Sequence, residues 1–226
     1  MILNINKPLE WSSFDVVKKI RSGLGIKKVG HAGTLDPLAT GVLIILTNKD
    51  TKKQQKFMQM PKEYEFEMFL GVTSPTYDLE GPLDFTEGFT TPSENEVLEA
   101  FSSYKGTIQQ KVPPFSAVKH KGKPLYKYAR EGKLKEDMIP TKEVTIYDLE
   151  LLEYVDTKQF PVTGKGVELP FIKGRVNCSK GTYIRSLVYD VGKDLGMGAV
   201  LSNLVRTKVG PYTLENSLTI DQALKP

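Results

Sequence analysis

Residues 30–46 read GHAGTLDPLATGVLIIL, and two kinds of chain meet inside that stretch. Gly30, Gly33 and Gly41 punctuate its first two-thirds, where a backbone can turn at little steric cost; the last part, Val42 to Leu46, is unbroken apolar chain. A run of that length without alternation predicts a strand buried on both faces. The loop that feeds it carries one carboxylate, Asp36, and Pro37 behind it biases Asp36 toward an extended backbone. The order of residues therefore predicts an acid held at the rim of a core. A simple Asp-Pro turn, with the carboxylate bonded to its own backbone, is the plainer reading of the same residues.

Upstream, Met1 to Asn6 predict a short strand. The loop KPLEWSS ends in Ser12 and Ser13, either of which can cap a helix carrying Phe14, Val17 and Ile20 on one face. Downstream, KEYEFEMFLGV (62–72) alternates, with Tyr64, Phe66, Met68 and Leu70 on one face, so Tyr64 opens an otherwise apolar stripe. Ser93 and Glu96 form a capping box for a helix to about Tyr104. Two β-rich stretches, 141–155 and 167–179, flank a bend and fit a hairpin or meander. The strongest helix lies in GTYIRSLVYDVGKDLG (181–196), where Ile184, Leu187, Val188, Val191 and Leu195 share one stripe. Residues 198–214 read as a strand with turns, followed by a short helix at Asp221 to Leu224. Strands at the start, middle and end, interleaved with single helices, predict an α+β fold around a large, mostly antiparallel mixed sheet.

Composition narrows the function. A chain of 226 residues, 39% apolar and 26% charged, builds a core of one large domain and excludes intrinsic disorder. No apolar run approaches a membrane span, and no basic-then-apolar leader opens the chain, so a cytoplasmic location without membrane contact is expected. One cysteine, Cys178, and two histidines exclude a disulfide framework and an ordinary zinc site. The net charge is only +4, but it is unevenly placed. Lys105 to Lys135 holds nine basic residues against Glu131 alone, and Ser74 to Tyr104 holds seven acids and no base. Such a basic block fits a polyanion, although solvated charge runs are common.

Nucleotide and hydrolase motifs fail one by one. GLGIKKVG lacks the third glycine of a dinucleotide loop, TGKG at 163–166 lacks the spacing of a P-loop, and no G-x-S-x-G elbow or deaminase pair occurs. Asp36 remains, and a partly buried carboxylate needs a cation. Arg185, one position off the apolar stripe of its helix, is the candidate counter-ion. His31, Tyr64 and Tyr183 stand near these positions, and each also reads as an ordinary loop or core-edge residue.

GHAGTLDPLATGVL resembles the catalytic motif of the TruB family of tRNA pseudouridine synthases, which make pseudouridine at position 55 of the tRNA T-loop. Five other blocks in the family's order strengthen the resemblance: NKPLEWSSFDVV, KEYEF, VPPFSAVKHKGKPLYKYAREG, NCSKGTYIRSL and GAVLSNLVRTKVGPY. The resemblance implies the pseudouridine synthase fold, with a thumb-like RNA-binding insertion at about 107–140. It implies Asp36 as the catalytic aspartate, Arg185 as its partner, and Tyr64 as the residue that stacks on the target uracil and removes a proton. His31, Tyr183 and Leu204 are implied at the pocket. Lys111, Lys119, Lys121, Lys123, Lys127, Arg130 and Arg206 are implied on the RNA backbone.

The expected partner is the tRNA T-arm, with no cofactor, no metal, no obligatory protein partner and a monomeric state. Two departures from the family pattern stand out: the chain ends at Pro226, where many relatives continue into a PUA domain, and Val205 precedes Arg206 where relatives often carry a second arginine. Two alternatives stay open: a guide-RNA-dependent synthase of the same superfamily, and a non-catalytic tRNA-folding chaperone.

Overall fold

In the computed structural model, residues 1–162 and 166–225 are described. Thr163, Gly164 and Lys165, which hold most of the TGKG sequence and part of the bend expected before residue 167, lie outside the described residues, as does Pro226. The elements in order are β1 (Ile2–Lys7), α1 (Ser13–Gly23), β2 (Val29–Ala32), β3 (Ala39–Thr47), a 3₁₀ turn (Asn48–Lys53) and α2 (Gln54–Gln59). Then come β4 (Lys62–Leu70), β5 (Val72–Thr73), β6 (Asp84–Phe85), α3 (Glu94–Ser103), β7 (Gly106–Lys111), β8 (Lys119–His120), β9 (Lys123–Pro124) and α4 (Leu125–Arg130). A 3₁₀ turn (Glu136–Met138) leads into β10 (Thr141–Gln159), β11 (Glu168–Cys178), α5 (Ile184–Asp194), β12 (Ala199–Val209), β13 (Tyr212–Thr213) and α6 (Ile220–Leu224).

The large sheet follows the order β1-β3-β12-β4-β11-β10-β7, with β2 also on β3 and β13 on β12. Strand β12 runs parallel to β3, whereas β1 and β2 on β3, β7 on β10 and β13 on β12 are antiparallel. The expected α+β fold with a mixed, mostly antiparallel sheet is thus the observed one. Among the described residues no helix is long and apolar enough to cross a membrane.

The chain divides into two compact units: Met1–Glu65 with Asn177–Lys180 and Asn203–Pro226, and Phe66–Val176 with Gly181–Ser202. In the first unit β3 is buried on both faces, as its unbroken apolar run requires. Leu43 and Ile45 pack with Ile5, Val16, Val17, Ile20 and Ile220, while Val42, Ile44 and Leu46 pack with Ala32, Phe57 and Val209. In the second unit Phe69, Phe160 and Phe171 meet edge to face, at 5.0 and 5.2 Å from the Phe69 centroid, within a core that includes Leu169 and Val200.

Helix ends follow from local chemistry. Ser12 and Asp15 close a reciprocal capping box on α1, Ser93 and Glu96 on α3, and Thr219 and Gln222 on α6. Phe14 corrects the expected face of α1: it is 51% exposed, and Ser13, Val16, Val17 and Ile20 are the buried residues. Ser12 caps the helix, which leaves Ser13 for another partner. Helix α5 begins at Ile184 rather than at Gly181, with Tyr183 as its N-cap.

Candidate active site

Asp36 stands in the loop between β2 and β3, half-buried, and its backbone carbonyl accepts from Ala39 N at 3.0 Å. Residues on either side of it are tied down by side chains from elsewhere. Ser13 Oγ accepts from Leu35 N at 2.8 Å and donates to Leu35 O at 3.0 Å. Glu10 N donates to Pro37 O at 2.9 Å. The Lys7 ammonium donates to Trp11 O at 2.6 Å, Pro8 O at 2.8 Å and Pro37 O at 3.4 Å. Lys7 is fully buried, which lowers its pKa to about 8; the Asp36 carboxylate opposes that shift, and the Arg206 charge adds to it.

Arg206 corrects its expected role. It is 1% exposed, and its guanidinium donates to Val42 O at 2.7 Å, Gly33 O at 3.1 Å and Thr34 O at 3.4 Å. A buried side chain committed to two carbonyls of the Asp36 loop and one of β3 is not placed to reach an RNA phosphate. Register explains the burial. Leu204, Val205 and Arg206 pair in parallel with Ala39, Thr40 and Gly41, so Arg206 points to the same side as the buried Leu204. Gly41 is needed at that crossing: its φ is +101, and a Cβ there would run into the Arg206 carbonyl.

Tyr64 joins the group on the inward stripe of β4, 8% exposed, with the Arg206 guanidinium 6.0 Å from its ring centroid. Burial raises the pKa of its hydroxyl, while the Arg206 charge and hydrogen bond pull it down. Lys62, two residues earlier on the stripe, is also buried; its ammonium donates to Met58 O and Met60 O, both at 2.6 Å, and burial lowers its pKa to about 8. His31, on β2, is half-buried with Nδ1 unpartnered, and burial followed by the Arg206 charge lowers its pKa. The first unit thus gathers Asp36, His31, Tyr64, Leu204 and Arg206, together with the unforeseen Lys7, Ser13 and Lys62.

Arg185 and Tyr183 belong to the second unit. Arg185 is buried at the start of α5, where Nη1 donates to Thr76 O at 2.8 Å and lies 3.5 Å from Asp78 Oδ2, and Nη2 donates to Phe115 O at 3.2 Å. Asp78, also buried, escaped the sequence reading because it lies within an acidic run that looked merely solvated. Gln110 of β7 clamps the N-cap: its Oε1 accepts from Tyr183 N at 2.8 Å, and its Nε2 donates to Tyr183 O at 3.0 Å. The N-cap residue makes no side-chain cap bond of its own, and the Gln110 amide fixes the entry to the helix.

The basic lobe lies in the same unit. Lys119, Lys121, Lys127 and Arg130 are exposed. Arg130 lies 5.5 Å from the Tyr126 ring centroid, and Lys123 lies 4.6 Å from that of Tyr128. Two of the expected phosphate ligands already face carboxylates: Lys123 pairs with Glu131 at 2.6 Å, and Lys111 pairs with Glu136. Among the described residues no three His, Cys, Asp or Glu gather where they could hold a metal ion.

The Asp36 carboxylate, on a loop held by buried side chains, lies within electrostatic reach of a buried ammonium and a buried phenol. The model of the N-terminal domain of TruB family pseudouridylate synthases matches residues 21–184, and that of the tRNA pseudouridylate synthase B C-terminal domain matches residues 185–225. The chain belongs to the TruB family of pseudouridylate synthases. It is therefore an isomerase, and its reaction turns uridine into pseudouridine. It is similar to tRNA pseudouridine synthase B of Parabacteroides distasonis, 46% identical over 230 residues that cover 98% of this chain and 90% of that one. The enzyme of the same name from Protochlamydia amoebophila is 44% identical over 218 residues, covering 96% and 77%. Among solved structures, an H/ACA RNP bound to a substrate RNA containing 2′-deoxyuridine contains a similar chain, with a TM-score of 0.67 and 26% identity. That match covers 97% of this chain and 51% of the other.

Proposed function

We propose that the chain isomerises uridine 55 in the T-loop of tRNA, with Asp36 as the catalytic carboxylate and Arg185 as its counter-ion. One observation carries the proposal: the Asp36 loop is held at Gly33, Thr34, Leu35, Pro37 and Val42 by the buried side chains of Arg206, Ser13 and Lys7. Holding a reacting group in one geometry is worth far more to a rate than to stability. Relatives named for tRNA, at 44 and 46% identity over nearly the whole chain, support the substrate class.

The reaction breaks the C1′–N1 bond, turns the uracil and joins C5 to C1′, with the C5 proton leaving and no net redox change. Asp36 attacks C1′, or stabilises the cationic sugar while the base turns. The target base leaves the T-loop stack at a cost of a few kcal/mol, which the Tyr64 ring offsets in part by stacking. Removal of the C5 proton by Tyr64 relies on Arg206, because burial alone disfavours the phenolate. Tyr183 and Leu204 bound the pocket, and His31 lies toward the flipped nucleotide. Lys119, Lys121, Lys127 and Arg130 contact phosphates, and Lys111 and Lys123 do so after leaving their carboxylates. The chain works as a monomeric catalytic domain whose lobe at 107–140 grips RNA, without cofactor or protein partner.

The test uses the purified chain and a T-arm hairpin labelled with tritium at uridine C5, without guide RNA or other protein. Tritium release is expected for the wild type and is lost in Asp36→Asn, with hairpin affinity retained within a few-fold. Turnover by Asp36→Asn would refute the role of that carboxylate. Release only in the presence of a guide RNA would favour the guide-dependent branch, and binding without release would favour the chaperone.

A further inference from the structure

Tyr77 lies between the two residues that hold Arg185, and its backbone is in the left-handed region at φ 65. A bulky side chain there is an outlier. In an extended segment the carbonyl of one residue lies in the plane of the pleat while the side chain two residues on stands out of it, so the Thr76 carbonyl and the Asp78 carboxylate would point in different directions. The reversal at Tyr77 lets both converge on Arg185 Nη1, at 2.8 and 3.5 Å. Glycine is the usual residue for such a reversal; here an aromatic ring occupies the position.

The ring has a partner. Tyr77 stacks on Tyr189 with centroids 4.0 Å apart and planes 18° from parallel. Tyr189 lies on α5 four residues after Arg185, hence on the same helix face one turn later. The loop therefore holds that face at two levels, by the ion pair on one turn and by the ring stack on the next. Its backbone is closed around the same residue: Tyr77 N donates to Ser74 O at 3.1 Å, Leu201 N donates to Tyr77 O at 3.0 Å, and Ser74 Oγ donates to Asp78 O at 2.7 Å.

We infer that Tyr77 is a positioning residue for the isomerisation: by stacking on Tyr189 it maintains the turn that presents Thr76 O and Asp78 to Arg185, and so fixes the guanidinium. The inference rests on Arg185 serving Asp36 in the reaction, as proposed above. Tyr77 acts one step removed from the substrate, through Arg185.

Single-turnover rates and tRNA affinities of Tyr77→Phe, Tyr77→Gly, Tyr189→Leu and the double variant Tyr77→Gly/Tyr189→Leu test it, with Tyr77→Gly also made in an Arg185→Lys background. Glycine adopts φ 65 without strain, so Tyr77→Gly reports on the ring, and Tyr189→Leu removes the stack while leaving the loop sequence intact. Tyr77→Phe is expected to match the wild type. Tyr77→Gly and Tyr189→Leu should each slow the chemical step about tenfold, the double variant no more than either, with affinity within about twofold. In the Arg185→Lys background the loss of the ring should cost nothing further. Wild-type rates for Tyr77→Gly, or an equal loss in both backgrounds, would overturn the inference while leaving the role of Arg185 standing. A fully active Arg185→Lys would remove the role of Arg185, and the inference with it.

Discussion

The Asp36 loop and the basic lobe, with its short strands and one short helix, are built on opposite principles. Residues 33–42 are held by buried side chains that each bond backbone carbonyls: Lys7 and Arg206 are 0 and 1% exposed, and Ser13 is 2% exposed. The lobe has its charges in solvent, joined by exposed ion pairs such as Lys123–Glu131 and by cations lying over tyrosine rings. Exposed pairs are worth at most about 1 kcal/mol, whereas breaking a buried charge network costs several-fold more. Chemistry at one carbon needs fixed geometry, and gripping a nucleic acid needs charges that can be redirected; on the function proposed above, the chain separates the two demands.

The largest effect should come from breaking the rigid side of that contrast. Arg206→Met leaves the carbonyls of Gly33, Thr34 and Val42 without their donor and should destabilise the chain by about 3 kcal/mol. In a domain of this size that lowers the melting temperature by roughly 6–12 °C. Calorimetry checks the shift, and a variant that melts like the wild type would show that the loop is not held from this side.

An intermediate effect concerns pH. Lys7 has a folded-state pKa of about 8, below its ordinary 10.5, so between those values the unfolded chain binds more protons than the folded one. Stability should therefore rise with pH across that window, with a slope of at most about 1.4 kcal/mol per pH unit for this group. Lys62 carries a similar shift and contributes in the same direction. Urea midpoints between pH 7.5 and 10 should rise less steeply in Lys7→Met than in the wild type, and equal slopes would mean that burial does not lower the pKa of Lys7.

The smallest effect on the fold, and the one that sharpens the contrast, comes from the lobe. Replacing Lys119, Lys121 and Lys127 by Gln should leave the melting temperature within about 2 °C, yet flatten the salt dependence of tRNA binding by roughly 0.7 to 0.9 in log–log slope per lost contact. Binding titrations between 50 and 200 mM salt read that slope. An unchanged slope would take the lobe out of the RNA path, and a large loss of stability would make it part of the rigid scaffold.

Much of the fold was legible because apolar pattern and burial coincide: the unbroken run of β3, the alternation of β4, the stripe of α5 and the capping box of Ser93 and Glu96 all lie where their residues predict. The loop around Asp36 was legible from its glycines and its proline. What escaped was the burial of cations. Lys7 and Lys62 drew no reading and Arg206 was expected on the RNA backbone, although each continues the inward parity of its strand, beside Ile5, Tyr64 and Leu204 respectively. Position in the strand is a better guide here than charge type, because backbone carbonyls nearby supply the partners that a buried cation needs. Phe14 failed in the reverse sense, an apolar residue turned to solvent while Ser13 beside it went inward to bond Leu35.

Arg206 joins Gly33 and Thr34 at one end of the loop to Val42 at the other, from a strand near the far end of the chain. It thus acts as a reversible staple that needs no sulfur chemistry, in a sequence whose single cysteine could not provide one. Because the staple belongs to β12, the loop cannot close until that strand has left the ribosome, and a nascent fragment ending short of it would carry the Asp36 carboxylate on a slack segment.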